Sequence, residues 1–295
     1  MSFTRTAAGW QEALAAKAAA IDLRNGGRPR SAYVLDGFFF ELVEYAAPGL
    51  FVEAGAFDAN ASRRVAATLP ECTVLAFEAN PNNHAIWTSE VDFGAERVDY
   101  RHSALANRTG EIEMVLRTRD PGAAEAHVED NSIHPWIASA AGATSDVVMV
   151  PVTTMDGILA EVPTGTRVAT WIDVEGANRE VIDGGRGLLA ACDVVKIEVE
   201  SSPLWVGQWL DLDVLGALTD LGLVPLARDA QAPEQYNVVL VSTRLAGDPH
   251  VGALLAAYER RQAARELPGI LGKARRHPLL RQAARSVRDR LPRPR

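Results

Sequence analysis

Two acids, Glu53 and Asp58, flank a single glycine, Gly55, in FVEAGAFDANASRR, where an apolar strand runs into a loop and then a helix. A dinucleotide site needs G-x-G-x-x-G, so that the backbone can approach a pyrophosphate whose charge the helix N-terminus then holds. Gly55 alone does not supply that turn, and Glu53 and Asp58 would repel a phosphate. A ligand with an amino group, a sulfonium and a ribose reverses the sign of the argument. Carboxylates stabilise such a ligand, and one glycine permits close backbone approach. S-adenosylmethionine has this chemistry. A second strand ends in FEANPN and places Glu78 about 20 to 25 residues after Gly55, where an acid can accept both ribose hydroxyls. Pro81 suits the first turn of the helix that follows.

A second acid pair stands at the end of TWIDVEGANREV. Asp173 and Glu175 lie two apart at a strand end and should point to the same side, with Gly176 letting the chain turn close to a ligand. Either can act as a base, orient an amino group or hold a divalent ion, or the pair can simply neutralise a helix N-terminus. His134, in the loop DNSIHPW, is a further candidate base because an imidazole titrates near working pH. Lys196, Glu198 and Glu200 alternate along KIEVE and should line one face of the next strand. Trp205 and Trp209 are spaced to share a helical face, as core or as a platform for a sugar ring.

The elements that must position these groups are legible from rhythm. LFVEAGA, TVLAFEA, VDYRHSA, VATWIDVEG and DVVKIEVES alternate with helical segments, which predicts an α/β fold: a doubly wound, Rossmann-like parallel sheet. Ligands of such sheets sit beyond the carboxyl ends of the strands. GEIEMVLRT and DVVMVPVTT predict extra strands around the polar loop RDPGAAEAHVEDNSIHPW, an insertion near 108–152 over the ligand edge. The connection DAQAPEQY, between LGLVPLAR and NVVLVST, is too short for a crossover helix, so the last strand should be antiparallel to its neighbour. Residues 1–45 read as a helical preface, with Trp10, Leu14, Ala18 and Ile21 at helical spacing, a break at RNGGRPR, and a second apolar segment from Phe38 to Tyr45. Residues 46–245 form the expected core, and 246–295 a helical, basic C-terminal tail. From Gly272 that tail is crowded with arginine around Leu280, Ala284, Val287 and Leu291. It suits either a solvated helix against an acidic domain or peripheral contact with an anionic membrane or partner.

Composition excludes several classes. The 295 residues carry a formal net charge of -8, which argues against nucleic acid as a partner. Cys72 and Cys192 stand in apolar stretches, with neither a metal-type cluster nor a paired framework, so buried thiols in a reducing compartment are expected. The N-terminus lacks the unbroken apolar region of a signal peptide, and no apolar run reaches the roughly 18 residues of a membrane helix. A cytoplasmic protein is the expectation.

With FVEAGAFDAN, FEANPNN, HSALANRTGE and TWIDVEGANREVIDGG in view, the chain resembles the FkbM-type family of S-adenosylmethionine-dependent methyltransferases from about Leu50 to Ser201. The resemblance implies a class I methyltransferase fold with seven strands, the last antiparallel. It implies methylation of a hydroxyl on a sugar, glycan or glycosylated natural product. The alternatives are a small non-sugar metabolite as acceptor, or a non-catalytic binding module. Carried over position by position, Glu53, Ala54, Gly55, Asp58 and Asn60 fall on the first cofactor loop. Glu78 and Ala79 fall at the ribose, Ser103 and Ala104 at the adenine, and Asp173 at the reacting end. Two departures stand out: Ala59 lies near the place of a second glycine, and Trp171 stands where the family commonly has lysine.

Overall fold

The computed structural model describes residues 5–23, 27–118, 131–135, 144–232 and 234–263. Helix α1 (Ala7–Ala19) starts at Thr6, whose hydroxyl accepts the amide of Gly9, and it buries Trp10 and Leu14. Helix α2 (Gly27–Ala46) begins inside RNGGRPR, earlier than the expected break allows. Pro29 falls in its first turn, where a missing N–H leaves nothing unpaired. Its stripe of Val34, Leu35, Phe38, Phe39, Leu42 and Val43 recurs at three- and four-residue intervals and is buried along its length.

The main sheet follows. Strand β1 (Leu50–Ala54) leads into α3 (Asn60–Thr68), β2 (Thr73–Glu78) into α4 (Pro81–Glu90), and β3 (Asp99–His102) closes one edge. A small sheet is then inserted, built from β4 (Ala104–Leu105), β5 (Gly110–Thr118) and β6 (Thr144–Thr153). After α5 (Met155–Leu159) the chain returns to the main sheet with β7 (Val168–Ile172), α6 (Asn178–Asp183), α7 (Arg186–Ala190) and β8 (Cys192–Glu200). It ends with α8 (Asp211–Asp220), β9 (Leu223–Arg228), β10 (Gln235–Ser242), α9 (Thr243–Ala246) and α10 (Pro249–Ala263).

The seven strands run in the order β3-β2-β1-β7-β8-β10-β9. β1, β2, β3, β7 and β8 are parallel, and β10 is antiparallel to both of its neighbours, as the short connection before it demands. Both faces are covered. Phe51, Val74, Val194 and Val239 pack under α2, α3 and α10, whereas Val52, Leu75, Phe77, Val195 and Ile197 pack with residues of α5 to α8. Strands buried on both sides explain the near-continuous apolar runs in the sequence. β9 lies at the sheet edge and tolerates Pro225, beside a register shift at Val239/Leu240. The inserted sheet packs Ile112, Met114, Leu116, Val150 and Val152 against Ala104.

Both cysteines are buried and free, and burial pushes the Cys72 thiol up to about 12. The helix expected around Trp205 and Trp209 does not form, because Pro203 and Gly207, whose φ is 78°, interrupt it and α8 starts only at Asp211. Gln208 folds back instead, its Oε1 accepting the Leu204 amide at 2.6 Å. Trp205 is fully buried, so it belongs to the core. The arginine-rich segment from Gly272 lies outside the described residues. No described helix is long and apolar enough to cross a membrane.

Candidate active site

The C-terminal ends of β1 and β2 form one rim of a cavity of about 810 Å³. Gly55 adopts φ 76°, and a Cβ there would lie 1.7 Å from the carbonyl oxygen of Asp173. The glycine is therefore demanded at least by the close approach of two loops of the protein, at the border of the cavity. Phe57 and Ala59 follow at φ 47° and 52°, in the left-handed region that costs a non-glycine residue about 1–2 kcal/mol. Ala59 thus takes the conformation that a glycine would supply in its place. Three bonds hold this path: the Phe57 amide donates to Glu78 Oε2 at 2.8 Å, the Tyr100 hydroxyl to the Phe57 carbonyl, and the Asn60 amide to Asp58 Oδ1 at 3.1 Å.

The acids on this rim are buried and anchored. Glu53 is 4% exposed and Glu78 is 6% exposed. Glu53 Oε2 accepts the Ser62 amide of α3 at 2.8 Å, and Glu78 Oε1 accepts the Asn80 amide at 2.7 Å. Burial pushes Glu53 up to about 8, against the pull of its bonds to Ser62 and with Asp58 and Asp173 adding repulsion. Burial likewise pushes Glu78 up to about 7, again with Asp173 contributing. Carboxylates held this way gain when a cation enters.

The second rim lies at the ends of β7 and β8. Asp173 follows the last residue of β7, and its amide donates to the Ala54 carbonyl at 2.9 Å, which latches the two strand ends together. Glu175 has φ 47° and Gly176 φ 82°, so the chain reverses here. A Cβ on Gly176 would lie 2.4 Å from the Trp205 indole, so this glycine too serves packing. Oxygens of Asp173, Glu175 and Glu198 lie within 4.8 Å of one another. Such a group can take a proton or furnish oxygen ligands to a hard divalent ion. Gln235 Nε2 donates to Glu198 Oε1 at 2.6 Å. Burial pushes Glu200, further along β8, up to about 7, with Asp173 again adding repulsion.

Helix α2 supplies the remaining wall with Tyr33, Asp36 and Phe40. Lys196 is 3% exposed, pairs with Asp36 at 2.9 Å and sets its ammonium 3.2 Å from the centre of a Trp171 ring. Trp171 and Lys196 are register partners on β7 and β8. A lysine side chain therefore reaches the position beside β7 from the neighbouring strand.

Of the residues singled out in the sequence, Glu53, Gly55, Asp58, Asn60, Glu78, Ala79, Ser103, Ala104, Asp173 and Glu175 all border this one cavity. Ala54 does not; it is buried within β1 and acts through its carbonyl. His134 is not brought to the cavity either, since its Nε2 lies 3.1 Å from Glu180 Oε2. Its neighbour Ser132 does border the cavity, and the Ser132 hydroxyl donates to the Glu175 carbonyl at 2.6 Å. Residues 119–130 of the same polar loop lie outside the described residues. Asp36, Phe40, Arg64 and Asn237 also line the cavity and were not anticipated; of these, only Asn237, cross-strand from Glu198, has a signal in strand alternation.

Among solved structures, the chain is similar to the methyltransferase FkbM of Methylobacillus flagellatus KT, with 10% identity over 65% of this chain and a TM-score of 0.39. It spans 44% of that protein's chain. It is also similar to the N-terminal domain of EvdMO1, solved with SAH and D-fucose (13% identity, 73% of this chain, 82% of that one, TM-score 0.37). A third is WbdD in complex with a kinase inhibitor (11% identity, 76% and 41%, TM-score 0.38). Likeness at this level carries nothing about ligand or acceptor. No functionally curated protein matches significantly. The family described as "Methyltransferase FkbM domain" matches residues 52–224, more than half of the chain and both rims of the cavity. The chain belongs to the FkbM methyltransferase domain family.

Proposed function

We propose that the protein is an S-adenosylmethionine-dependent O-methyltransferase acting on a hydroxyl of a sugar, glycan or glycosylated natural product. The observation that carries this reading is the meeting of the two acidic rims in one cavity, with Gly55 packed on the Asp173 carbonyl. In this reading Glu78 accepts the ribose hydroxyls, and Glu53 and Asp58 balance cationic charge. The bound cofactor supplies an electrophilic methyl on a sulfonium.

The protein's own task is alignment and removal of a proton. With the cofactor bound, the carboxylate of Asp173 or Glu175 would take the proton that the acceptor hydroxyl gives up on methylation. The cavity is also lined by the Tyr33 ring and by the polar groups of Asp36, Gln231 and Asn237. An accessible ring beside hydrogen-bonding groups suits a polyhydroxylated acceptor.

The test is transfer of a labelled methyl group to pooled glycans and to pooled small metabolites, followed by alkaline and acid hydrolysis of the product. The reading requires label in an ether linkage on a sugar. Label recovered on nitrogen, carbon or a carboxyl ester would exclude O-methylation of a hydroxyl, and label confined to sugar-free metabolites would exclude the carbohydrate acceptor.

A further inference from the structure

The cofactor proposed above is not only a cation: it also carries an α-carboxylate, and the cavity offers that group little welcome. Seven acidic side chains border the cavity against three basic ones, Arg63, Arg64 and Lys196. The amides that usually receive an anion at such a loop are already used. Phe57 donates to Glu78, Asn60 to Asp58 and Ser62 to Glu53, so the start of α3 is turned to the protein's own carboxylates.

Two of the three cations are also committed. Arg63 Nε and Nη2 grip Glu96 at 2.5 and 2.9 Å, and Lys196 is paired with Asp36. Arg64 has no carboxylate within ion-pair distance among the described residues. Its guanidinium lies over the Phe40 ring, 3.9 Å from the centroid, and Phe40 in turn leans on Trp171 at 6.0 Å. A guanidinium laid on a ring keeps its N–H edge free and fixed in direction, which suits a two-oxygen anion. Arg64 also lies four residues beyond Asn60 on α3, on the helix face that Asn60 presents to the cavity.

We infer that Arg64 binds the α-carboxylate of the cofactor, with Phe40 as the support that holds the guanidinium in place. The inference rests on the cofactor reading above. It gives the methionine end of the ligand two contacts of opposite sign: carboxylates for the ammonium and sulfonium, and Arg64 for the carboxylate.

Calorimetric titration of the full chain and of Arg64→Ala with S-adenosylmethionine and with its decarboxylated analogue tests it, since the analogue keeps both positive charges. The expected result is about tenfold or greater weakening for S-adenosylmethionine in the variant, the size of a lost charge-assisted hydrogen bond. The analogue should bind parent and variant alike, and Arg64→Lys should recover part of the loss. Thermal midpoints measured alongside confirm that this exposed substitution leaves the fold intact. Equal weakening of both ligands would show that Arg64 only supports the cavity wall. No weakening of either, even with a raised KM for an acceptor, would also overturn the assignment. If the unsubstituted protein binds neither ligand, the cofactor reading and this inference fall together.

Discussion

The two rims of the cavity hold acids in different ways. At the ends of β1 and β2, backbone amides hold one oxygen each of Glu53 and Asp58 and both oxygens of Glu78. At the ends of β7 and β8, Asp173, Glu175 and Glu198 bring their oxygens within 4.8 Å of one another, on a backbone reversed at Glu175. Carboxylates fixed by amides cannot easily move and serve best to bind. Carboxylates crowded together hold a proton between them readily and serve best to react. On the proposed function, the first rim would serve affinity and the second turnover.

The most drastic way to break this arrangement is to part the rims. Gly55→Ala puts a Cβ against the Asp173 carbonyl at a left-handed φ, and thermal or urea unfolding should show a loss of about 3 kcal/mol or more, or no soluble protein. Within an intact fold, Asp173→Asn should lower turnover about 100-fold or more while the cofactor Kd stays within about threefold. Glu78→Ala should do the reverse, raising Kd about tenfold or more with a smaller change in kcat. Equal effects of the two substitutions on both constants would erase the distinction.

A gentler probe is pH. Glu53 and Glu78 keep their protons up to about 8 and about 7 in the fold, against 4.5 for an ordinary carboxyl. The folded protein therefore binds protons that the unfolded chain has released, and ligand-free stability should fall as pH rises from about 4.5 to 8. A bound cation favours the ionised acids, so cofactor affinity should rise over the upper part of that window. Melting curves with and without cofactor across the range check both signs, and Glu53→Gln should flatten them. The smallest effect is expected at His134: paired with Glu180 outside the cavity, its change to alanine should leave kcat within about threefold.

Much of this was legible in the sequence because strand ends are. Glu53, Glu78 and Asp173 close apolar runs, and a doubly wound sheet brings the carboxyl ends of its strands to one edge. The antiparallel β10 was legible for a similar reason, since a short connection leaves no other geometry. The role of the glycines was not. Gly55 and Gly176 mark close approaches, but only the packed structure shows that the neighbours are the Asp173 carbonyl and the Trp205 indole. The α2 wall was hidden too. Asp36 and Phe40 meet Lys196 and Trp171 across more than a hundred residues of chain, and local periodicity carries no trace of such contacts. The tryptophan pair misled because spacing alone suggested a helix where Pro203 and Gly207 prevent one.

The central claim concerns the sign of the charge that this cavity accepts, and one calorimetric comparison at neutral pH tests it: S-adenosylmethionine against NAD, each titrated into the unsubstituted protein. Saturable binding of the sulfonium ligand at a single site, with no heat from the dinucleotide, is the predicted result. Saturable binding of NAD with none of S-adenosylmethionine would contradict it.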